Sequence, residues 1–106
     1  MSYSIVYVLS SDESDYYYQQ LMISLLSLRK HMKNIKVIVL TDYLTQSGLS
    51  ENRSEIYNYA EVNVVDVPKG LSKKEKSRYL KTSIRNNIIG DFIYLDCDTV
   101  ICDDFL

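Results

Sequence analysis

The sequence predicts an α/β domain in which a mainly parallel sheet carries helices on both faces. Four short apolar runs begin near residues 4, 35, 61 and 92, and stretches with helical patterns separate them. The first run, residues 4–9, is continuously apolar, which is typical of a strand buried on both faces. Strands that alternate with helices are joined by right-handed crossovers, so the predicted sheet is parallel.

The first half of the chain supplies two strands and their helices. Residues 4–9 form the first predicted strand, and a polar loop follows in which Ser14 or Asp15 caps the next helix. That helix is predicted over residues 16–32, because apolar residues recur there at three- and four-residue steps. Residues 35–40 predict the second strand, and residues 50–59 predict a short helix.

The second half repeats this alternation. Residues 62–67 predict a third strand, and the sequence Ser-Lys-Lys-Glu at residues 72–75 is a capping box. The helix that it opens carries Leu80, Ile84 and Ile88 on one face and is expected to end near Gly90. The fourth strand covers residues 92–95, and residues 1–106 are predicted to form one domain.

Composition excludes several classes of function. A net charge of −2 argues against nucleic acid as a partner, since nucleic acid needs a basic face. No apolar run approaches the ~18 residues of a transmembrane segment, and the start lacks a signal-peptide pattern, so we expect a cytoplasmic protein. Cys97 and Cys102 have no histidine nearby, and we interpret both as small apolar residues.

A carboxylate lies at or near the end of each predicted strand, and these residues are Asp12, Asp42, Asp66 and Asp96. Ligands of open parallel sheets bind at the carboxyl ends of the strands. Asp12 and the pair Asp96 and Asp98 are therefore expected in one cleft if their strands are neighbours. Asp42 and Asp66 are expected to cap loops.

Asp96 and Asp98 are the strongest candidates for metal ligands. In an extended backbone their side chains point the same way and Cys97 points the opposite way. Two such carboxylates repel by roughly 1 kcal/mol at ~4 Å in water, and a divalent cation removes that repulsion. Oxygen ligands suit Mn²⁺ or Mg²⁺. The alternative is that both residues cap the strand and face water.

A cation with open coordination positions suits a nucleoside diphosphate. Ser10, Ser11 and Asp12 can bind a base or ribose, and Lys81 and Arg85 can neutralise the diphosphate. The sequence contains no glycine-rich phosphate loop.

Residues 78–105 resemble the DxD region of glycosyltransferases with the GT-A fold, in particular glycosyltransferase family 8. The matching stretches are YLK at 79–81, GD at 90–91, IYLDCDTV at 93–100 and DDF at 103–105. The resemblance implies a Rossmann-like nucleotide-sugar-binding fold. It also implies that the chain transfers a hexosyl group from a UDP-sugar to a hydroxyl of a saccharide or other acceptor.

The resemblance also implies roles for particular residues. Asp96 and Asp98 would bind Mn²⁺ or Mg²⁺, Lys81 would contact the diphosphate, and Asp12 would lie in the uridine pocket. Together with Ser10, Ser11, Asp96 and Cys97, these residues would hold the UDP-sugar. Since the sequence ends just after the motif, we expect it to supply the donor-binding half, to be inactive alone, and to self-associate through an uncovered edge.

Two other interpretations of the motif are open. Asp96-Cys97-Asp98-Thr99-Val100 also fits the nucleophile motif of haloacid dehalogenase-type phosphatases, in which the first aspartate is the nucleophile and Mg²⁺ assists. Alternatively, the chain is a non-catalytic binding or scaffold domain whose aspartates are strand caps.

Overall fold

The fold was described from a computed structural model, which describes residues 3–100. Within that range, four strands form one all-parallel sheet in the order β3-β2-β1-β4. The strands are β1 (Tyr3–Leu9), β2 (Lys36–Thr41), β3 (Glu61–Val64) and β4 (Asp91–Tyr94). The helices are α1 (Tyr17–His31), α2 (Tyr43–Ser47), α3 (Lys73–Thr82) and α4 (Ile84–Asn87), with a 3-10 helix at Glu51–Asn58. The predicted fold class is confirmed.

Strand β1 lies in the middle of the sheet because it is apolar on both faces. Its alternate side chains Ile5, Tyr7 and Leu9 point to one face, and Val6 and Val8 point to the other. All five are buried. A strand of this kind has no side that water can solvate, so it needs helices above and below.

Helix α1 covers the first face. Its apolar stripe, including Leu21, Leu25 and Leu28, is buried against β1 and β2, as its three- and four-residue spacing predicts. Full burial of each such side chain stabilises the fold by roughly 1.5–3 kcal/mol. The Tyr7 hydroxyl, buried in the same core, is 2.6 Å from the Ser24 hydroxyl of α1, so its polar atom is also satisfied.

Helices α3 and α4 cover the second face through Leu80, Ile84 and Ile88, which are all buried. The predicted capping box is present: the Ser72 hydroxyl accepts from the Glu75 N–H, and the Glu75 carboxylate accepts from the Ser72 N–H. Gly90 adopts a left-handed φ of 89°, as expected for the stop before β4.

Four elements differ from the sequence prediction, one of which is the unpredicted helix α2. The single helix predicted from residue 73 to Gly90 is broken at Ser83 into α3 and α4, where the Ser83 hydroxyl donates to the Leu80 carbonyl. Strand β3 ends at Val64, earlier than predicted. The short helix predicted over residues 50–59 is a 3-10 helix. None of the helices within residues 3–100 combines the length and apolar character needed to cross a bilayer.

Candidate functional site

A cleft of about 720 Å³ lies at the carboxyl ends of β1 and β4, between α1 and α3. Along the chain the strands proceed from β1 to β2 to β3 on one side, and β4 then returns to the other side of β1. The strand order therefore reverses between β1 and β4. Parallel sheets bind their ligands at such a switch point. The sequence analysis placed the residues after the first and fourth strands in one cleft only if those strands are neighbours. This condition is met, because β1 and β4 pair directly.

The cleft is lined by charges of both signs. Among the described residues that line it are four cations and two carboxylates: Lys73, Lys74, Arg78, Lys81, Asp96 and Asp98. The cations all come from α3 and the carboxylates from the segment after β4. An excess of positive charge in a chain with a net charge of −2 favours an anionic ligand at this place.

Asp96 and Asp98 lie in a turn that follows β4. The Leu95 N–H still donates to the Val6 carbonyl at 3.0 Å, and the chain then turns so that the Thr99 N–H donates to the Asp96 carbonyl at 3.0 Å. The extended backbone predicted here is therefore wrong. Both carboxylates are nevertheless exposed and line the cleft. Cys97 between them also lines the cleft and packs against the core.

Cys97 anchors this turn to the sheet. Its thiol donates to the Val8 carbonyl, with 3.1 Å between Sγ and oxygen. Burial raises the pKa of Cys97 to about 12, and the neighbouring charges of Asp96 and Asp98 add to the effect. The thiol is therefore neutral, and its interpretation as a small apolar residue is confirmed. Cys102 lies outside the described residues.

Lys81 is brought next to Asp96 through Tyr94. The Tyr94 hydroxyl donates to Asp96 Oδ1 at 3.0 Å, and Lys81 Nζ lies 5.0 Å from the centre of the Tyr94 ring. Burial, followed by the bond to Asp96, raises the pKa of Tyr94, so the phenol stays protonated as the donor. Lys81 and Asp96, which the sequence analysis assigned to one ligand, therefore both contact Tyr94 and line the cleft.

Arg85 does not join Lys81 in the cleft. Its guanidinium donates to the Gly90 carbonyl at 2.8 Å and lies 4.6 Å from the centre of the Phe92 ring, at the start of β4. The four-residue spacing that placed both residues on one helix face fails because α3 ends at Thr82. Arg78 and Lys74, which the sequence argument did not select, line the cleft instead.

The loop after β1 forms the other end of the site. Ser10 lines the cleft and is 3% exposed, and its hydroxyl makes no hydrogen bond within residues 3–100. Ser11 and Asp12 are not among the lining residues. The Ser11 hydroxyl donates to Asp15 Oδ1 at 2.6 Å, and the Asp12 carboxylate accepts from the Ser14 N–H at 2.8 Å. Of these three predicted contacts, Ser10 is the one that faces the cleft.

Asp15 organises this loop, and the sequence identified it only as a possible helix cap. Its carboxylate accepts from the Ser11 hydroxyl, from the N–H groups of Asp12 and Tyr17, and from Lys73 Nζ at 2.8 Å. Burial by itself raises the pKa of Asp15, but the bonds from Lys73, Ser11 and the backbone outweigh it and leave the pKa below its usual range.

Lys73 joins α3 to the loop across the top of the sheet. Its ammonium contacts Asp12 at 3.2 Å, Asp15 at 2.8 Å and the Ser14 hydroxyl at 3.1 Å. We call Lys73, Asp12 and Asp15 the clasp. The bonds to Asp15 and Asp12 raise the pKa of Lys73. The bonds from the Ser14 hydroxyl and N–H, followed by the bond from Lys73, lower the pKa of Asp12. No sequence signal identifies the clasp, because it joins residues 58 and 61 positions apart.

The chemistry of the donor set fits a cation held by few protein ligands. Within residues 3–100, no group of three or more His, Cys, Asp or Glu side chains is placed to hold a metal ion. A cation at Asp96 and Asp98 would thus have two protein ligands and fill its remaining positions with water and ligand oxygens. Mg²⁺ and Mn²⁺ sites on phosphate ligands are of this kind.

Comparison with known proteins identifies no family. No protein-family model, no curated protein and no solved structure gives a significant match to this chain. The structure establishes a small α/β domain with a four-stranded, all-parallel, Rossmann-like sheet and helices packed against it.

Proposed function

We propose that this chain binds a UDP-sugar together with Mn²⁺ or Mg²⁺. In this proposal it supplies the donor-binding half of an enzyme that transfers a hexosyl group to an acceptor hydroxyl. The observation that carries the proposal is the convergence of Asp96, Asp98, Lys81 and Ser10 on one cleft at the switch point of the sheet. These residues come from three elements that are distant in sequence.

Each element has a distinct task in this proposal. The carboxylates of Asp96 and Asp98 hold the cation, which as a Lewis acid would stabilise the departing UDP through its phosphate oxygens. The ammonium of Lys81 neutralises the diphosphate from the α3 side. Ser10 lines the cleft, and its hydroxyl, which makes no hydrogen bond within the described residues, is available to the ribose or the base. Ser11, Asp12 and Asp15 shape the loop behind it.

Titration calorimetry with UDP in the presence of Mn²⁺ tests the proposal. We expect the double substitution Asp96→Asn and Asp98→Asn to weaken binding by at least about a hundredfold, since groups that only support metal ligands already contribute 10- to 100-fold. Asp66→Asn is the matched control, because Asp66 is an exposed carboxylate after β3 and does not line the cleft. Unchanged affinity in the double variant would contradict the proposal.

Incubation with a phosphomonoester, together with the calorimetry, separates the two other interpretations of the motif. An aspartyl-phosphate trapped on Asp96 after incubation with a phosphomonoester would indicate a phosphatase of the haloacid dehalogenase type. The absence of heat with both UDP and the phosphomonoester, from folded protein in the presence of Mn²⁺, would indicate a binding or scaffold domain with another ligand.

A further inference from the structure

Three cations of α3 form a row along one wall of the cleft. Lys74, Arg78 and Lys81 stand at positions i, i+4 and i+7, so they lie on one helix face over about 10 Å. All three are exposed and line the cleft. Within residues 3–100, none of the three lies within ion-pair distance of a carboxylate, whereas Lys73 is paired with Asp12 and Asp15. We call these three residues the basic row.

The basic row carries more positive charge than a nucleotide sugar with an uncharged sugar can balance. A divalent cation at Asp96 and Asp98 cancels those two carboxylates. In the clasp, Lys73 is paired with two carboxylates, Asp12 and Asp15, neither of which lines the cleft, so Lys73 offers no free positive charge to the ligand. A diphosphate that joins a nucleoside to an uncharged sugar carries two negative charges. The basic row carries three positive charges on a wall about 10 Å long. One cation is therefore left over when such a ligand is bound.

We infer that the ligands of this cleft carry a third negative charge, which the basic row binds. This inference rests on the proposed function and narrows its substrate class to donors or acceptors with an additional carboxylate or phosphate. Arg78 is the central residue of the row, and its planar guanidinium can donate two parallel bonds to such a group. Ser77, which also lines the cleft, adds a hydroxyl donor beside it.

The third negative charge can come from the donor or from the acceptor, and two pairs of ligands distinguish these sources. For the donor, UDP-glucuronate is compared with UDP-glucose in the presence of Mn²⁺, because the two differ by one carboxylate on the sugar. For the acceptor, glucose 6-phosphate is compared with glucose, at saturating UDP and Mn²⁺. In one of the two pairs, we expect the charged ligand to bind about tenfold more tightly, as a charge-assisted contact predicts.

The variant that tests the basic row is Lys74→Met combined with Arg78→Met. We expect it to reduce the charged-to-neutral affinity ratio to about one. Lys76→Met is the matched control, since Lys76 is on the same helix but does not line the cleft, and it should keep the wild-type ratio. Equal affinities within both pairs in the wild-type protein, or a ratio that Lys76→Met reduces equally, would overturn the inference.

The readout separates this inference from the proposed function. Failure of the metal site changes the affinity for both members of a pair, whereas failure of the basic row changes only their ratio. If no UDP ligand binds, inorganic pyrophosphate without metal becomes the probe. Pyrophosphate affinity that is lower in the Lys74 and Arg78 variant than in Lys76→Met supports the basic row, and equal affinity overturns it.

Discussion

The two ends of the cleft use their carboxylates in opposite ways. At the loop end, Asp15 accepts four hydrogen bonds and its side chain is 12% exposed, and Asp12 is held by Ser14 and Lys73. At the turn end, within the described residues, Asp96 accepts one side-chain bond, from Tyr94, and both Asp96 and Asp98 are exposed. The protein therefore fills the bonding capacity of Asp15, engages one oxygen of Asp12, and leaves Asp96 and Asp98 largely open.

This contrast indicates which carboxylates hold structure and which can bind a ligand. A carboxylate whose oxygens are occupied by protein donors contributes stability, and removing it leaves those donors unpaired. A carboxylate that faces water can exchange that water for a cation without breaking the fold. Substitutions at the two ends should therefore differ in their effect on stability.

The thiol that anchors the turn end should be unreactive. Because the pKa of Cys97 is raised to about 12, the thiolate fraction at pH 8 is lower than that of a free cysteine by on the order of a hundredfold or more. In a Cys102→Ser background, iodoacetamide should therefore alkylate Cys97 at least that much more slowly in the folded protein than in urea. A folded-state rate close to the rate in urea would show that the turn does not bury the thiol.

Removal of the central carboxylate of the loop end should destabilise the fold. We expect Asp15→Asn to lower the free energy of unfolding by about 2–3 kcal/mol, because it weakens charge-assisted bonds and leaves Lys73 with a poorer partner. Urea titration followed by circular dichroism measures this. Asp98→Asn serves as the turn-end control and should change stability by less than about 0.5 kcal/mol. Equal losses in the two variants would remove the distinction between the ends.

The loop end should also fail in acid. Because the folded-state pKa of Asp15 is lowered, its contribution to stability is full above the unfolded-state value of about 3.9 and is lost as pH falls through the folded-state pKa. The lowered pKa of Asp12 acts in the same direction. Asp15→Asn should therefore flatten the fall in stability below about pH 4, as measured by urea titration at several pH values. If stability falls with pH equally steeply in Asp15→Asn and in the wild type, Asp15 is not responsible for the loss of stability in acid.

The smallest effect is expected for the cation of the clasp. Lys73→Met should lower the urea midpoint less than Asp15→Asn, and added salt should reduce the difference from the wild type. The raised pKa of Lys73 means that its contribution is full below about pH 10.4 and is lost as pH rises through the folded-state pKa. Lys74→Met, which has no ion pair within the described residues, should leave the midpoint unchanged.

Elements with a long local pattern could be predicted from the sequence. The apolar run of β1, the three- and four-residue periodicity of α1 and the capping box of α3 each specify their structure within a few residues. Helix α2 was missed because its five residues are too few to show a period, although the Asp42 side chain caps it by accepting from the Thr45 N–H. This bond confirms Asp42 as a cap.

The site was predictable to the extent that it depends on strand ends. Asp96, Asp98 and Ser10 were selected because parallel strands bring their carboxyl ends together, and Lys81 was selected as a cation on the helix before β4; all four line one cleft. Asp15 and Lys73 were not selected as partners because no local pattern relates residues so distant in sequence. The exclusion of Arg85 depends on a helix break at a serine, and serine is neutral enough within helices to give no warning.

The clasp also has a consequence for the order in which the chain folds. Its two carboxylates are made early by a growing polypeptide, and its ammonium arrives some sixty residues later, from a helix on the opposite face of the sheet. Until α3 packs on the sheet, the segment after β1 lacks its contacts with Lys73. Bringing together residues so far apart in sequence is slow, because closing the intervening chain costs entropy. We therefore expect the cleft to be completed late in folding, after the helices on both faces have packed against the sheet.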